Sequence, residues 1–214
     1  MSFIIDRWMD LQYNNASLEI ILEGDNSMKQ FYGMSQRGNL DEALQGLYSP
    51  QFIMLLSNND QFEEHVAALE RRFPGVPSIG CIGMSYQTSV AEHGVGVIAF
   101  SEGVTAAANV LEQASTMPVK YIKRLEEDMR TVGGTNRDTV CIDFCSGNDA
   151  CVLTTIYTAL CKRGISLVGG TGDQGKVSAN GRIYQDAVAY GLVRNQNGRV
   201  KTYKENIYHQ LGDY

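Results

Sequence analysis

The sequence holds no apolar run near the ~20 residues that cross a bilayer, so it offers no transmembrane helix. Its first residues, Met-Ser-Phe-Ile-Ile-Asp-Arg, include an acid and lack the long apolar stretch of a signal peptide. Positive charge is in deficit: 18 Lys and Arg stand against 24 Asp and Glu, for a formal net charge of −6. Phosphate backbones and anionic bilayers attract surplus cations, so the balance argues against nucleic acid or an anionic membrane surface as main partner. Several chemical signatures are missing as well. There is no GxxxxGK[ST] loop, no GxGxxG opening a helix, no HExxH and no G-x-S-x-G elbow. No catalytic triad is nominated, and the chain does not read as an enzyme.

What is present describes a globular protein. The 214 residues are 43% hydrophobic and 20% charged, which excludes disorder as the dominant state. The length suits one large domain or two small ones. With 22 glycines and 4 prolines, turns rely on glycine. Cysteines number five, an odd count, and four fall between Cys141 and Cys161 in apolar surroundings. They read as buried, reduced thiols of a cytoplasmic protein. Their spacing, Cys141-x3-Cys145-x5-Cys151-x9-Cys161, contains no CxxC pair and suits structural zinc poorly. No metal or other cofactor is expected.

Hydrophobic periodicity divides the chain into elements. Residues 4–11 fit a short helix, and 18–22 and 29–35 fit strands joined by a turn at Gly24-Asp25-Asn26. Asn39 caps a helix with Leu40, Ala43, Leu44 and Leu47 on one face. Residues 52–56 are apolar without interruption, as in a strand covered on both faces. Ser57-Asn58-Asn59-Asp60 then caps a helix with Phe62, Val66, Leu69 and Phe73 inward, stopped by Pro74-Gly75. His65, beside Glu63 and Glu64, reads as exposed. A short strand at 77–83 and a longer one at 95–100 follow, and 104–111 extends the sheet. Thr116 and Pro118 open a helix with Ile122, Leu125, Met129 and Val132 inward, stopped by Gly133-Gly134.

The pattern then returns. Strand 139–144, cap 146–149, a helix with Val152, Ile156 and Leu160, short strand 165–168, a Gly-rich loop and strand 186–193 repeat the order of the earlier segment. Matching Ile53 with Ile142 and Ile79 with Leu167 gives a degenerate internal duplication. The expected fold class is α/β: a mixed β-sheet layered with helices, built from two β-α-β-loop-β repeats. No Pro- or Ser-rich linker interrupts the chain, so residues 1–214 are read as a single domain.

Candidate chemistry sits at strand ends. Ser57, Asn58 and Asn59 in the first copy, and Ser146, Gly147 and Asn148 in the second, precede helix starts. Free N–H groups and a partial positive charge there favour a carboxylate or phosphate; plain helix capping is the alternative. Two Gly-rich loops, Gly80-Cys81-Ile82-Gly83 and Gly169-Gly170-Thr171-Gly172-Asp173, follow the short strands. Ligands of open α/β sheets gather beyond such strand ends, while a tight turn is the alternative. Asp173 suits an amine or hydroxyl. Arg182 suits a carboxylate and, with Tyr184, is expected to reach over the same end. Cys81 is the one thiol worth testing as a nucleophile, although it has no base nearby in sequence.

Taken in order, Pro77-Ser78-Ile79-Gly80-Cys81, the strand at 95–100, Gly169-Gly170-Thr171-Gly172-Asp173 and Asp186-Ala187-Val188-Ala189-Tyr190-Gly191-Leu192-Val193 resemble the N-terminal half of the FIST domain (F-box and intracellular signal transduction). The resemblance covers residues 27–195. It implies a cytoplasmic sensory domain that binds small ligands, amino acids or related small carboxylates among them. In bacteria such domains are attached to histidine kinase, diguanylate cyclase or chemotaxis modules. The matching positions are Gly80, Gly169, Gly170 and Asp173. The family continues into a C-terminal half, and tail 196–214 is expected to lead towards it. Some members bind haem and sense nitric oxide; His93 is the residue that would serve as axial ligand. An interaction or dimerisation domain without a small ligand is the remaining alternative, since an exposed strand edge permits pairing between copies.

Overall fold

A computed structural model of the chain describes residues 28–202, apart from Met84, residues 87–89, Met117 and Asn148. The expected elements at 4–11 and 18–22 lie outside the described residues, as does candidate Asn148.

The strands are β1 (Lys29–Ser35), β2 (Phe52–Ser57), β3 (Ser78–Ile82), β4 (Ser85–Tyr86), β5 (Val90–Ala91), β6 (Val95–Ser101), β7 (Val104–Glu112), β8 (Thr139–Cys145), β9 (Ser166–Thr171), β10 (Val177–Ala179), β11 (Arg182–Tyr184) and β12 (Ala187–Asn195). The helices are α1 (Leu40–Ala43), α2 (Phe62–Arg72), α3 (Ile122–Val132) and α4 (Asp149–Cys161). The α/β class is as expected, with ten strands divided between two mixed sheets and β4 and β5 paired only with each other among the described residues. One has the order β1-β6-β2-β3-β10-β11 and the other β7-β12-β8-β9. β7 therefore opens the second sheet rather than extending the first.

Side-chain alternation shows how the layers stack. Phe52 and Met54 of β2 pack with Val110, Ile142, Ala189 and Val193 of the second sheet, so the two sheets lie face to face. Ile53 and Leu55, pointing the other way, pack with Leu44, Phe62, Val66 and Leu69 under α1 and α2. Cys141 and Cys145 of β8, with Tyr190 and Leu192 of β12, pack against Leu125, Met129, Ile156 and Leu160 of α3 and α4. The result is helix, sheet, sheet, helix. Inner strands covered on both faces need apolar residues at every position, which explains their unbroken runs. Where the sheets meet, a Cβ on Gly191 would run into the Phe52 ring, so glycine there lets the aromatic seat.

The duplication is larger than the sequence suggests. Each repeat runs strand, helix, strand, helix, strand, hairpin, strand, with β1-β6-β2-β3 matched by β7-β12-β8-β9. Hydrogen bonds fix the equivalence. Gly83 N donates to Ser57 O (3.0 Å) as Gly172 N donates to Cys145 O (2.8 Å), and Asn58 N donates to Gly94 O (3.0 Å) as Ser146 N donates to Ala187 O (2.9 Å). Ser57 thus matches Cys145, Gly80 matches Gly169, and Ile53 matches Cys141, one residue off the register that the apolar runs suggested.

Helix ends follow local chemistry. Asn39 Oδ1 accepts from Glu42 N (3.1 Å) at the start of α1. Gly133 closes α3 in the left-handed region at φ 67°, and Gly134 N donates to Met129 O (3.2 Å). No helix among the described residues is long and apolar enough to cross a membrane.

Candidate functional site

The two strand ends that sequence reasoning singled out are built differently. In the first repeat the end is sealed. Ser57 is wholly buried and Asn58 nearly so. Asn58 Oδ1 accepts from Gln61 N (3.0 Å), and its Nδ2 donates to Gln61 Oε1 (3.1 Å), His93 O (2.9 Å) and Gly94 O (3.3 Å). That amide caps the turn into α2 and ties it to the β5–β6 turn. Ser57 Oγ lies 2.8 Å from His65 Nδ1, and His65 Nε2 lies 3.0 Å from Gly38 O. His65 is 3% exposed, which overturns its expected place on the solvent face. Position 65 lies three residues after Phe62 and four before Leu69, on the inward stripe of α2. Burial lowers its pKa from the ordinary histidine value, while the Gly38 carbonyl and Glu64 pull the other way.

The equivalent end of the second repeat is open. A cleft of about 490 Å³ is lined by Ser146, Gly147, Gln174, Gly175, Gln185 and Asp186. Ser146 stands where the first repeat has Asn58, and its side chain is shorter. Its Oγ accepts from Ala187 N (2.8 Å), leaving the hydroxyl proton for another partner. Gly147 follows at φ 151°, with open space where a Cβ would be. The α4 helix starts at Asp149, so its N-terminal partial charge falls on this side of the cleft. The far wall is pinned. Asp186 Oδ1 and Oδ2 accept from Ser115 N (2.9 Å) and Ser115 Oγ (2.7 Å), and its carbonyl accepts from Ala114 N (2.9 Å). Gln174 adopts φ 54° and Asp186 φ 46°, left-handed values that few non-glycine residues take. Among the described residues no lysine or arginine lines the cleft; neighbouring Lys176 is paired with Glu63 (3.0 Å).

The glycine candidates fall mainly within strands. Gly80 lies in β3, where a Cβ would stand 2.6 Å from Ser178 Oγ and 3.1 Å from Leu55 O. Gly169 and Gly170 belong to β9, and a Cβ on Gly169 would strike Asp143 O and Oδ1. The loop proper begins at Gly172, which packs on Cys81; a Cβ there would be 2.8 Å from Cys81 Cβ. The two Gly-rich segments therefore do meet. Asp173 is exposed at the start of the short 3₁₀ turn 173–175. Cys81 lies in the layer between the sheets, where burial and then the Asp173 charge push its thiol up to about 12. At neutral pH it stays protonated, the wrong state for a nucleophile.

Arg182 does not reach the expected end. It is exposed at the tip of the β10–β11 hairpin opposite Ala179, whose other neighbour is Ile79. Tyr184 lies farther back, opposite Val177. His93 is exposed, with its carbonyl taken by Asn58. Cys81, Cys141 and Cys145 are buried free thiols, whereas Cys161 is exposed against expectation. Among the described residues no three His, Cys, Asp or Glu side chains are grouped to hold a metal. Sequence reasoning missed Gln174, Gly175, Gln185 and Asp186. The signal was faint: they flank the two ends of a hairpin that only the fold brings back to Ser146.

Comparison with known families matches the FIST N domain over residues 51–213. The match begins later and runs further than the resemblance at 27–195. No curated protein matches the chain.

Proposed function

Because the chain belongs to the FIST N domain family, a family of sensory domains of signal-transduction proteins, we propose that it is a cytoplasmic small-ligand sensor whose ligand occupies the strand-end cleft of the second repeat. The observation that carries this reading is an asymmetry. A duplicated fold seals one strand end with Asn58 and leaves the equivalent end open at Ser146 and Gly147. Ligands of α/β sheets bind in such crevices.

The lining suits an amino acid or a related small carboxylate. A carboxylate is favoured towards Ser146, Gly147 and the start of α4, where backbone N–H groups and the helix dipole act together. An ammonium group is favoured towards the Asp186 carboxylate. The side-chain amides of Gln174 and Gln185 offer donors and acceptors for the rest of the molecule. Ser57, Asn58, Gly80 and Cys81 then support the scaffold rather than touch the ligand. A downstream signalling module reads the occupied state. Free buried thiols at Cys81, Cys141 and Cys145 accord with a reducing compartment.

A thermal-shift screen with the common amino acids and small mono- and dicarboxylates tests the reading. A ligand at a hundred times its Kd stabilises the folded state by about 2.7 kcal/mol, a readily measured rise in Tm. Asp186→Asn should abolish the rise for ligands that carry an amine and spare it for those that do not. A flat response to the whole panel would count against the sensor reading.

A further inference from the structure

Four positions around the sealed end of the first repeat have counterparts around the cleft. Asn58 matches Ser146, and His93, one residue before Gly94, matches Asp186, one residue before Ala187. Ser35 pairs with Val95 as Leu111 pairs with Val188. Counting on from there, Gly38 matches Ala114 and Asn39 matches Ser115. Contacts agree with the count. A Cβ on Gly38 would stand 2.8 Å from His93 O, and Ala114 N donates to Asp186 O (2.9 Å).

The counterparts are used differently. In the first repeat Asn58 Nδ2 donates to His93 O. Asn39 is engaged within its own turn: its N donates to Ser35 Oγ (3.1 Å) and its Oδ1 accepts from Glu42 N (3.1 Å). In the second repeat both donors of Ser115 go to the Asp186 carboxylate, one to each oxygen: N at 2.9 Å and Oγ at 2.7 Å. The turn that presents Ser115 holds itself. Gln113 takes φ 54°, its carbonyl accepts from Thr116 N (3.0 Å) and Thr116 Oγ1 (3.1 Å), and its Oε1 accepts from Lys120 Nζ (2.9 Å). Ser115 is not among the residues that line the cleft, whereas Asp186 is.

An ionised carboxylate offers about four lone-pair sites. Ser115 fills one on each oxygen, which fixes the plane of the group and leaves one on each oxygen for an incoming donor. We infer, on the reading that the cleft is the ligand site, that Ser115 is its positioning residue and that the cleft selects a protonated primary amine over its permethylated form. An ammonium brings three N–H donors to the acceptor sites left on Asp186. A trimethylammonium brings the same charge and no such donor. Charge alone does not separate the two, but a carboxylate held in one plane does. Ser115 acts through Asp186, by keeping those acceptor sites in place.

Isothermal titration calorimetry of the full chain tests this with glycine, alanine, leucine and glutamate. Each is compared with its N-trimethyl derivative and with the acid that lacks the amine. In the wild type an amino acid should bind about tenfold or more tightly than its trimethyl derivative. Ser115→Ala should shrink that preference about threefold or more and leave the amine-free acids unchanged. Ser115→Thr, which keeps a hydroxyl at the position, should restore it. Ser115 is exposed, so the unligated variants should melt with the wild type. Equal binding of an amino acid and its trimethyl derivative overturns the inference while leaving the cleft as the ligand site. So does a Ser115→Ala variant that weakens every ligand alike, or a preference that Ser115→Thr fails to restore. A wild type that binds none of the four amino acids overturns the sensor reading and the inference with it.

Discussion

His65 sits buried between the Ser57 hydroxyl at 2.8 Å and the Gly38 carbonyl at 3.0 Å. With Nε2–H donating to Gly38, Nδ1 is left to accept from Ser57, so the neutral ring satisfies both. Burial is the larger influence on its pKa and lowers it. The sign follows. The unfolded chain takes up this proton near about pH 6.5 and the folded chain only at lower pH, so the contribution to stability is whole above that range. It falls as pH drops, until the folded pKa is passed. Urea denaturation at pH 7 and pH 5.5 should therefore show a stability loss in the wild type that is smaller in His65→Gln. His65→Ala at pH 7 leaves the buried Gly38 carbonyl without its partner, while Ser57 Oγ keeps its bond to the Asn58 carbonyl (3.0 Å), and should cost about 1–3 kcal/mol. Position 65 was legible on the stripe formed with Phe62 and Leu69; its acidic neighbours Glu63 and Glu64 hid it. Cys81 gives a second residue-level prediction. With the thiol pushed up to about 12, its thiolate is about a thousandfold scarcer than that of an ordinary cysteine. Iodoacetamide at pH 7.5 should label exposed Cys161 and leave Cys81 unmodified, as peptide mass spectrometry would show.

Among elements, the inner strands carry the fold. Phe52 of β2 enters the second sheet at Gly191 of β12, between Ala189 and Val193. Gly191→Ala should cost about 1–3 kcal/mol through overpacking, measured by urea denaturation. In the Phe52→Leu background the same change should cost less, because the ring it meets is gone. Equal costs in both backgrounds would contradict the close approach. The apolar runs at 52–56 and 139–144 announced these strands, and the Gly and Pro stops announced the helix ends. Register was another matter. A strand apolar on both faces has no polar side to fix its phase, which is why the apolar runs pair Ile53 with Ile142 while the fold pairs it with Cys141. Division into two sheets was equally hidden. Which sheet receives β7 is decided by pairing with β12, far along the chain, and not by the residues of β7 itself.

For the whole molecule, the repeat explains both the shape of the core and the place of the cleft. Ser146 and Gly147 were legible because they stand between a strand and a helix. Gln174, Gly175, Gln185 and Asp186 were not, because they come together only when the β9–β10 crossover carries the chain from one sheet to the other and back. The acid-rich composition has a local counterpart: among the described residues the cleft has a carboxylate on its wall and no cationic side chain, so under the proposed function a ligand's amine would have a partner there and its carboxylate would depend on backbone groups. The proposed function turns on a small ligand binding this cleft. An amide chemical-shift titration of the ¹⁵N-labelled protein with amino acids tests it most directly. Saturable shifts should concentrate at Ser146, Gly147, Gln174, Gly175, Gln185 and Asp186, with the sealed end at Ser57 and Asn58 unmoved. Shifts centred on the sealed end, or none with any amino acid at millimolar concentration, would contradict it.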